Sequence, residues 1–142
     1  MTLREETITR YQAFFENLTD ENVEDFRQLA APEACYRDPF MDSKGHEAIT
    51  ASLHKWFQNL DEIQFILTDH AVNGLIVFQH WIMKFRIRKL PKKLWNLEGV
   101  SKITFNMHGM VIDQVDYWDA TPMFESVPIL GNIITLIKKL LV

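Results

Sequence analysis

Near residue 60 the apolar residues change their spacing from three-and-four to two, and few folds accommodate both patterns in one chain. Before that point, Ile8, Tyr11, Phe14, Phe15 and Leu18 make a helical stripe over residues 3–18, with Thr2 as cap and Glu5 in capping-box position. Thr19-Asp20-Glu21-Asn22 restarts a second helix that turns Val23, Phe26, Leu29 and Ala30 inward and stops at Pro32. Residues 34–40 read as a short strand, and residues 45–60 as a third helix bearing Ile49, Leu53, Trp56, Phe57 and Leu60. After it, Ile63–Leu67 is a strand and Asn73-Gly74 a hairpin turn. From residue 77 to 88 the alternation puts Val77, Gln79, Trp81, Met83, Phe85 and Ile87 on one face, and Phe78, His80, Ile82, Lys84, Arg86 and Arg88 on the other. Residues 89–99, with Pro91 and Gly99, read as a basic connection. Residues 102–107 and 110–118 are two further strands around a turn at His108-Gly109. Helices first and antiparallel strands after predict an α+β fold in which a curved sheet wraps three N-terminal helices.

A chain of 142 residues is expected to form one domain, 1–142. An apolar content of 47% with 24% charged residues fits a globular protein rather than a disordered one. The net charge of -4 argues against a nucleic-acid partner, which needs a basic face. Cys35 is the only cysteine, so no internal disulfide can form. The opening residues lack the apolar core of a signal peptide, and no apolar stretch reaches the roughly 20 residues that span a bilayer. The expectation is a cytoplasmic protein.

Residues 128–142 form an amphipathic helix with Leu130, Ile133, Ile134, Ile137 and Leu141 on one stripe and Asn132, Thr135 and Lys139 opposite. The simplest reading packs it on its own sheet or on a second subunit. The sharper one lays it in a membrane interface with Lys138 and Lys139 at the headgroups.

Asp38 is the leading functional candidate. It ends the extended run Tyr36-Arg37-Asp38-Pro39-Phe40, before Gly45-His46-Glu47-Ala48-Ile49 opens the third helix. A carboxylate set among Tyr36, Phe40 and Trp56 loses hydration, which raises its pKa and suits it to accept a proton near neutral pH. The plainer reading is a turn residue whose oxygens bind backbone amides near Pro39.

The order helix, helix, short strand, helix, long antiparallel strands resembles the cone of the nuclear transport factor 2-like superfamily over residues 5–120. That group includes ketosteroid isomerases, SnoaL-like polyketide cyclases and limonene epoxide hydrolases. Thr9-Arg10-Tyr11 resembles the isomerase segment with the oxyanion-hole tyrosine, Arg37-Asp38-Pro39 that with the aspartate base, and Ile103-Thr104-Phe105-Asn106 a sheet strand. The resemblance also marks departures. Ser101 stands where the isomerases keep a protonated aspartate, and Leu53 where they keep a second pocket tyrosine. Losing one oxyanion donor costs catalysis about 100- to 1000-fold, which argues against a steroid isomerase.

By the same resemblance Gln79, Trp81, Met83, Ser101, Ile103, Phe105, Gln114, Asp116 and Trp118 face a cavity, with Trp56 beside Asp38. That implies a small, mostly apolar ligand and a cofactor-independent isomerase, cyclase or hydratase. Its Asp38 is the base, Tyr11 and Ser101 are oxyanion donors, and Asp116 is a second acid. Epoxide-hydrolase-like water activation would also require an arginine between the acids, for which Arg37 and Arg10 are candidates. The alternatives are a non-catalytic binding protein and an interaction module whose cavity is filled by its own side chains. Taken singly, Tyr11 could also be a buried ring with a satisfied hydroxyl, and Asp116 an ion-pair partner of Arg86 or Arg88. The outer sheet face, with Phe78, His80 and Ile82, is expected to pair with a second subunit. His46, His54, His70, His80 and His108 lack metal-site spacing, so no metal is expected, and with no P-loop or dinucleotide fingerprint no organic cofactor is expected either. Cys35 reads as a small apolar group, and Lys89, Lys92 and Lys93 as solvating charges at a sheet edge.

Overall fold

The long strands begin where the spacing changes. The structure, a computed structural model, describes residues 2–142. In chain order the elements are α1 (Glu5–Glu16), a 3-10 segment (Val23–Gln28), β1 (Ala30–Arg37), β2 (Asp42–Lys44), α2 (His46–Asn59), β3 (Leu60–Asn73), β4 (Ile76–Ile87), β5 (Leu90–Phe105), β6 (Val111–Trp118), α3 (Thr121–Glu125) and α4 (Pro128–Leu141). The six strands form one curved, unclosed sheet in the order β2-β1-β6-β5-β4-β3. β1 runs parallel to β6 and every other pair is antiparallel, so β1, β4 and β6 end where β2, β3 and β5 begin. The expected α+β cone is the fold observed.

Two apolar clusters hold it. Ile8, Tyr11, Phe14 and Phe15 of α1 meet Ile49 and Leu53 of α2 over Val77, Ile103 and Phe105 of the sheet. Trp81, Met83, Phe85, Trp95 and Leu97 make a second cluster toward the other end. Burying each such side chain stabilises the fold by roughly 1.5–3 kcal/mol, which is why the period-two face of β4 points inward as expected.

Several expectations need correction. The second helix is only the short 3-10 segment; Ala30 already belongs to β1, and Pro32 lies within that strand. Pro32 is tolerated there because the β1–β6 pairing is interrupted between Ala30 and Cys35, where no ladder amide is required. Thr2 makes no cap: α1 starts after Arg4 without a side-chain cap, and Glu5 and Glu6 instead place negative charge on its first turn. The region 89–99 is not a connection but the first half of β5, whose Trp95 and Leu97 are buried. Pro91 fits because this half pairs with β4 alone; β6 joins only from Gly99. Gly99 itself is required by close packing, since a Cβ would stand 2.5 Å from Trp81 Cζ2.

The largest departure is the C-terminal helix. It does not pack on the sheet. Its main contact is α3, and none of its residues is buried.

Candidate functional site

The concave face carries a buried polar network that ends on Asp116. Period two along β6 turns Gln114 and Asp116 to the same side, and β5 brings Ser101 opposite Asp116. The Asp116 Oδ1 accepts from Ser101 Oγ at 2.6 Å and from Gln114 Nε2 at 2.9 Å, while Oδ2 accepts from the Tyr36 hydroxyl at 2.5 Å. Trp81 Nε1 supports the group from behind by donating to Ser101 Oγ at 2.9 Å. Tyr11 donates its hydroxyl proton to Gln114 Oε1, which fixes the amide so that its nitrogen faces Asp116. Every donor in this chain points toward the carboxylate. A carboxylate offers about four acceptor positions, so one position on Oδ2 has no protein partner.

The electrostatics follow from burial. No cation touches Asp116, and burial pushes its carboxyl above the usual range, while the hydrogen bonds from Gln114, Ser101 and Tyr36 pull it partly back. The charge of Asp38 raises it further. Burial and then the Asp116 charge drive Tyr11 and Tyr36 well above an ordinary phenol, so both remain neutral donors.

Beside this network lies a small, partly open cavity of about 30 Å³, bounded by Tyr11, Phe15, Tyr36, Phe65, Trp81 and Asp116. That is room for about one water molecule. A second, larger pocket of about 340 Å³ opens at the sheet end where β1 and β6 finish. Its apolar walls are Phe85, Leu97, Trp118 and Met123, and α2 turns Ser52, Lys55, Trp56 and Asn59 toward it from one face. Trp56 separates the two spaces: it lines the outer pocket, and its ring meets Tyr36 and Phe65 of the inner one at 6.5 and 5.7 Å between centroids.

Asp38 lines the outer pocket from the β1–β2 turn, where it makes the contacts of a turn residue. Its Oδ1 accepts the Phe40 amide at 2.7 Å, and its backbone bonds Met41, as a turn residue should. Burial nevertheless lifts its carboxyl above the usual range, against the pull of the Phe40 and Met41 amides.

Of the residues read from sequence, Tyr11, Gln79, Trp81, Ser101, Ile103, Gln114 and Asp116 border the inner cavity, and Asp38, Trp56 and Trp118 the outer pocket. Met83 and Phe105 face inward but line neither; they are core residues, Phe105 packing edge-on to Tyr11 at 5.8 Å. Asp116 makes no ion pair with Arg86 or Arg88, which are held by Glu62 and Asp61 at 2.9 Å each. No arginine stands between the two acids: Arg37 reaches Asp113 at 3.7 Å on the outer side, and Arg10 is exposed on α1. Leu53, in the position of a pocket tyrosine, is wholly buried. His80 does lie on the outer face, against Thr68 and Glu98. Among the described residues no cluster of His, Cys, Asp and Glu could hold a metal ion.

Sequence reasoning treated Tyr36 only as a neighbour of Asp38 and missed its bond to Asp116. The signal was present, because Ala34 and Tyr36 share the buried face of β1. Lys55, Asn59, Phe85, Leu97 and Met123 were missed as pocket walls, Leu97 because its strand was read as a loop.

A curved sheet closed over two helices, with a polar cluster at its floor and a pocket at its mouth, defines the nuclear transport factor 2-like class. The SnoaL-like domain family matches residues 11–114, and the chain belongs to that family. Among solved structures it is similar to a protein of Catenulispora acidiphila with a ketosteroid isomerase-like fold, in complex with trimethylamine. That pair shares 15% identity over 84% of this chain and 89% of the other, with a TM-score of 0.71. A nuclear transport factor 2-like protein of unknown function from Burkholderia pseudomallei superposes with a TM-score of 0.75 at 12% identity, covering 88% and 99%. An LEH-like epoxide hydrolase from M. tuberculosis gives 0.68 at 16% identity over 94% and 96%. At these identities the likeness concerns the fold. No curated protein matches the sequence.

Proposed function

We propose that this protein binds a small, mostly apolar molecule in its outer pocket and acts on it by cofactor-independent proton transfer, with Asp38 as the base. The observation that carries this is a pair of carboxyls that make no ion pair, one of them opening on a 340 Å³ pocket with apolar walls. Asp116 is raised chiefly by burial and a little further by the Asp38 charge, so an ionised Asp38 favours the protonated form of Asp116. Asp38 takes the ligand proton on Oδ2, since Oδ1 is occupied by the Phe40 amide. Lys55 and Asn59 on the α2 wall are the donors available to a carbonyl oxygen there. Tyr11 acts at one remove, by orienting Gln114 on Asp116. The fold is one that an LEH-like epoxide hydrolase also uses, so it is compatible with cofactor-independent chemistry on a small molecule. A copy of the chain on the outer sheet face, where Phe78 is exposed beside Ile82 and Val100, and a cytoplasmic setting compatible with the lone Cys35 complete this reading.

The test is turnover of a panel of apolar enolisable ketones and epoxides, beside binding of a hydrophobic fluorophore. Turnover that disappears in Asp38→Asn while the fluorophore still binds supports the proposal. A second reading, a non-catalytic binding protein, is favoured by the missing arginine and by the commitment of the Tyr11 proton to Gln114. Saturable fluorophore binding with no turnover of any panel member selects it.

A further inference from the structure

The sheet topology gathers an unusual surface at the mouth. The turn after β1, the end of β6 with α3, and the β4–β5 hairpin all lie at this end of the sheet. Its apolar residues are exposed: Leu90 at 69%, Phe40 at 58% and Leu94 at 48%. Met123 of α3 lines the outer pocket, and the next residue, Phe124, meets Phe40 at 5.7 Å, which meets Trp118 at 5.4 Å. This aromatic rim leads directly into α4.

α4 is built for an interface rather than for water. At about 100° per residue, Ile129, Leu130, Ile133, Ile137, Leu140 and Leu141 cover one side of the helix. Thr135, Lys138 and Lys139 occupy the other. Its 14 residues reach about 21 Å, and among the described residues no helix is long and apolar enough to cross a membrane. From Ser126 to Val142 there is no acidic residue.

Charge decides what covers this surface. At the mouth end Asp61, Glu62 and Glu125 each have a basic partner. Asp38, Asp42 and Asp119 make no ion pair there among the described residues, but neither do Lys89, Lys92, Lys93 and Lys139, and these lysines, not the acids, lie on α4 and the β4–β5 hairpin. A second copy of α4 would set lysine-bearing, acid-free segments against each other. A layer of anionic headgroups complements them, and lysines beside an apolar stripe can extend to it along their stems.

We propose that the mouth end of the cone docks on an anionic phospholipid surface, with α4 lying in the headgroup layer and the β4–β5 hairpin tip beside it. Docking brings the outer pocket against the bilayer, so that its ligand is a lipophilic molecule taken from the membrane; this last step rests on the pocket reading above, and the docking does not.

The experiment is co-sedimentation of the full chain with vesicles of phosphatidylcholine alone and of phosphatidylcholine mixed with phosphatidylserine. The expected result is binding to the mixed vesicles only, weakening as salt rises. The pairs Lys89→Glu/Lys92→Glu and Ile133→Asp/Ile137→Asp should each lower partitioning at least about tenfold, with unfolding midpoints unchanged because all four positions are exposed. Three results would overturn the proposal: no binding to either vesicle, binding unaffected by the lysine pair, or a lipid-free oligomer that the isoleucine pair dissolves. Fluorophore binding in solution reports the pocket separately, and it should persist in both double variants whatever the vesicles show.

Discussion

Asp116 and Asp38 are two aspartates whose charges sense each other, yet they are held in opposite ways. Asp116 is fixed by side chains from β1, β5 and β6, with β4 and α1 behind them, residues separated by up to about a hundred positions in sequence. Asp38 is fixed by amides of its own turn. The first arrangement exists only once the whole sheet has formed; the second could persist in four residues. Both carboxyls are raised mainly by burial, but only one is structurally committed. A network that must be complete to be stable makes a rigid floor, and a locally held turn at the mouth leaves its acid free to meet a ligand.

The sharpest way to break this contrast is to remove the floor. Asp116→Ala leaves the hydroxyls of Tyr36 and Ser101 and the amide of Gln114 without their acceptor, each an expensive loss in a buried site. A destabilisation of about 3–4 kcal/mol is expected from urea unfolding. A cost below about 1 kcal/mol would mean that water replaces the carboxylate and that the network is not a unit.

Next in size is the joint between the two regions. Gly99 pairs with Trp118 of the mouth and packs under Trp81 of the floor. In Gly99→Ala the new methyl would stand 2.5 Å from Trp81 Cζ2 and 2.8 Å from the Tyr117 carbonyl oxygen, and the carbonyl belongs to the ladder. Overpacking of this kind costs about 2 kcal/mol. Because Trp81 must move, its bond to Ser101 is strained too, and indole fluorescence should report the shift alongside the melting curve.

How far this contrast could be read from the sequence depends on which forces set each part. Period two set Gln79 with Trp81 on one face of β4 and Gln114 with Asp116 on one face of β6, because alternation is a property of the strand itself; that these faces turn inward came from the resemblance. Alternation could not show that Ser101, Tyr36 and Gln114 would converge on one carboxylate, since that depends on register between strands and on a parallel β1–β6 pairing. The first half of β5 was obscured by Pro91 and Gly99, which read as breakers but are permitted by a missing neighbour and demanded by Trp81. The stripe on α4 was legible, but a stripe says only that a helix has an apolar side. What it faces depends on where the chain leads it after α3, which is the element it contacts most.

pH gives a subtler separation. A carboxyl raised in the folded state binds its proton more tightly there, so stability grows as pH falls through the folded pKa and is fully gained at the ordinary unfolded value. Asp116 and Asp38 both act in this sense. His54, raised by its bond to Asp20, adds stability that is lost as pH rises through its own folded pKa, a window set by an imidazole rather than a carboxyl. Glu24 and Asp119 are lowered, chiefly by hydrogen bonds to Arg27 and Thr121, and lose stability only below the ordinary carboxyl range. The melting temperature should therefore rise on mild acidification, and Tyr36→Phe, which removes one donor from Asp116, should move that rise to higher pH at a cost of about 1 kcal/mol. An unchanged profile would show that Tyr36 contributes packing alone.

The smallest effect is expected at Asp38, and its smallness is the point. Asn keeps the acyl oxygen that accepts the Phe40 amide, so the turn survives in Asp38→Asn. Removing its charge also relieves the repulsion on Asp116. The amide oxygen accepts more weakly than the carboxylate, which opposes that relief, and urea unfolding at neutral pH should agree with the parent within about 0.5 kcal/mol. The acid limb of the melting profile should flatten in part, leaving the Asp116 contribution. A loss as large as that of Asp116→Ala would mean that the turn, too, depends on long-range contacts of its carboxylate, and the division between a committed floor and a free acid at the mouth would fail.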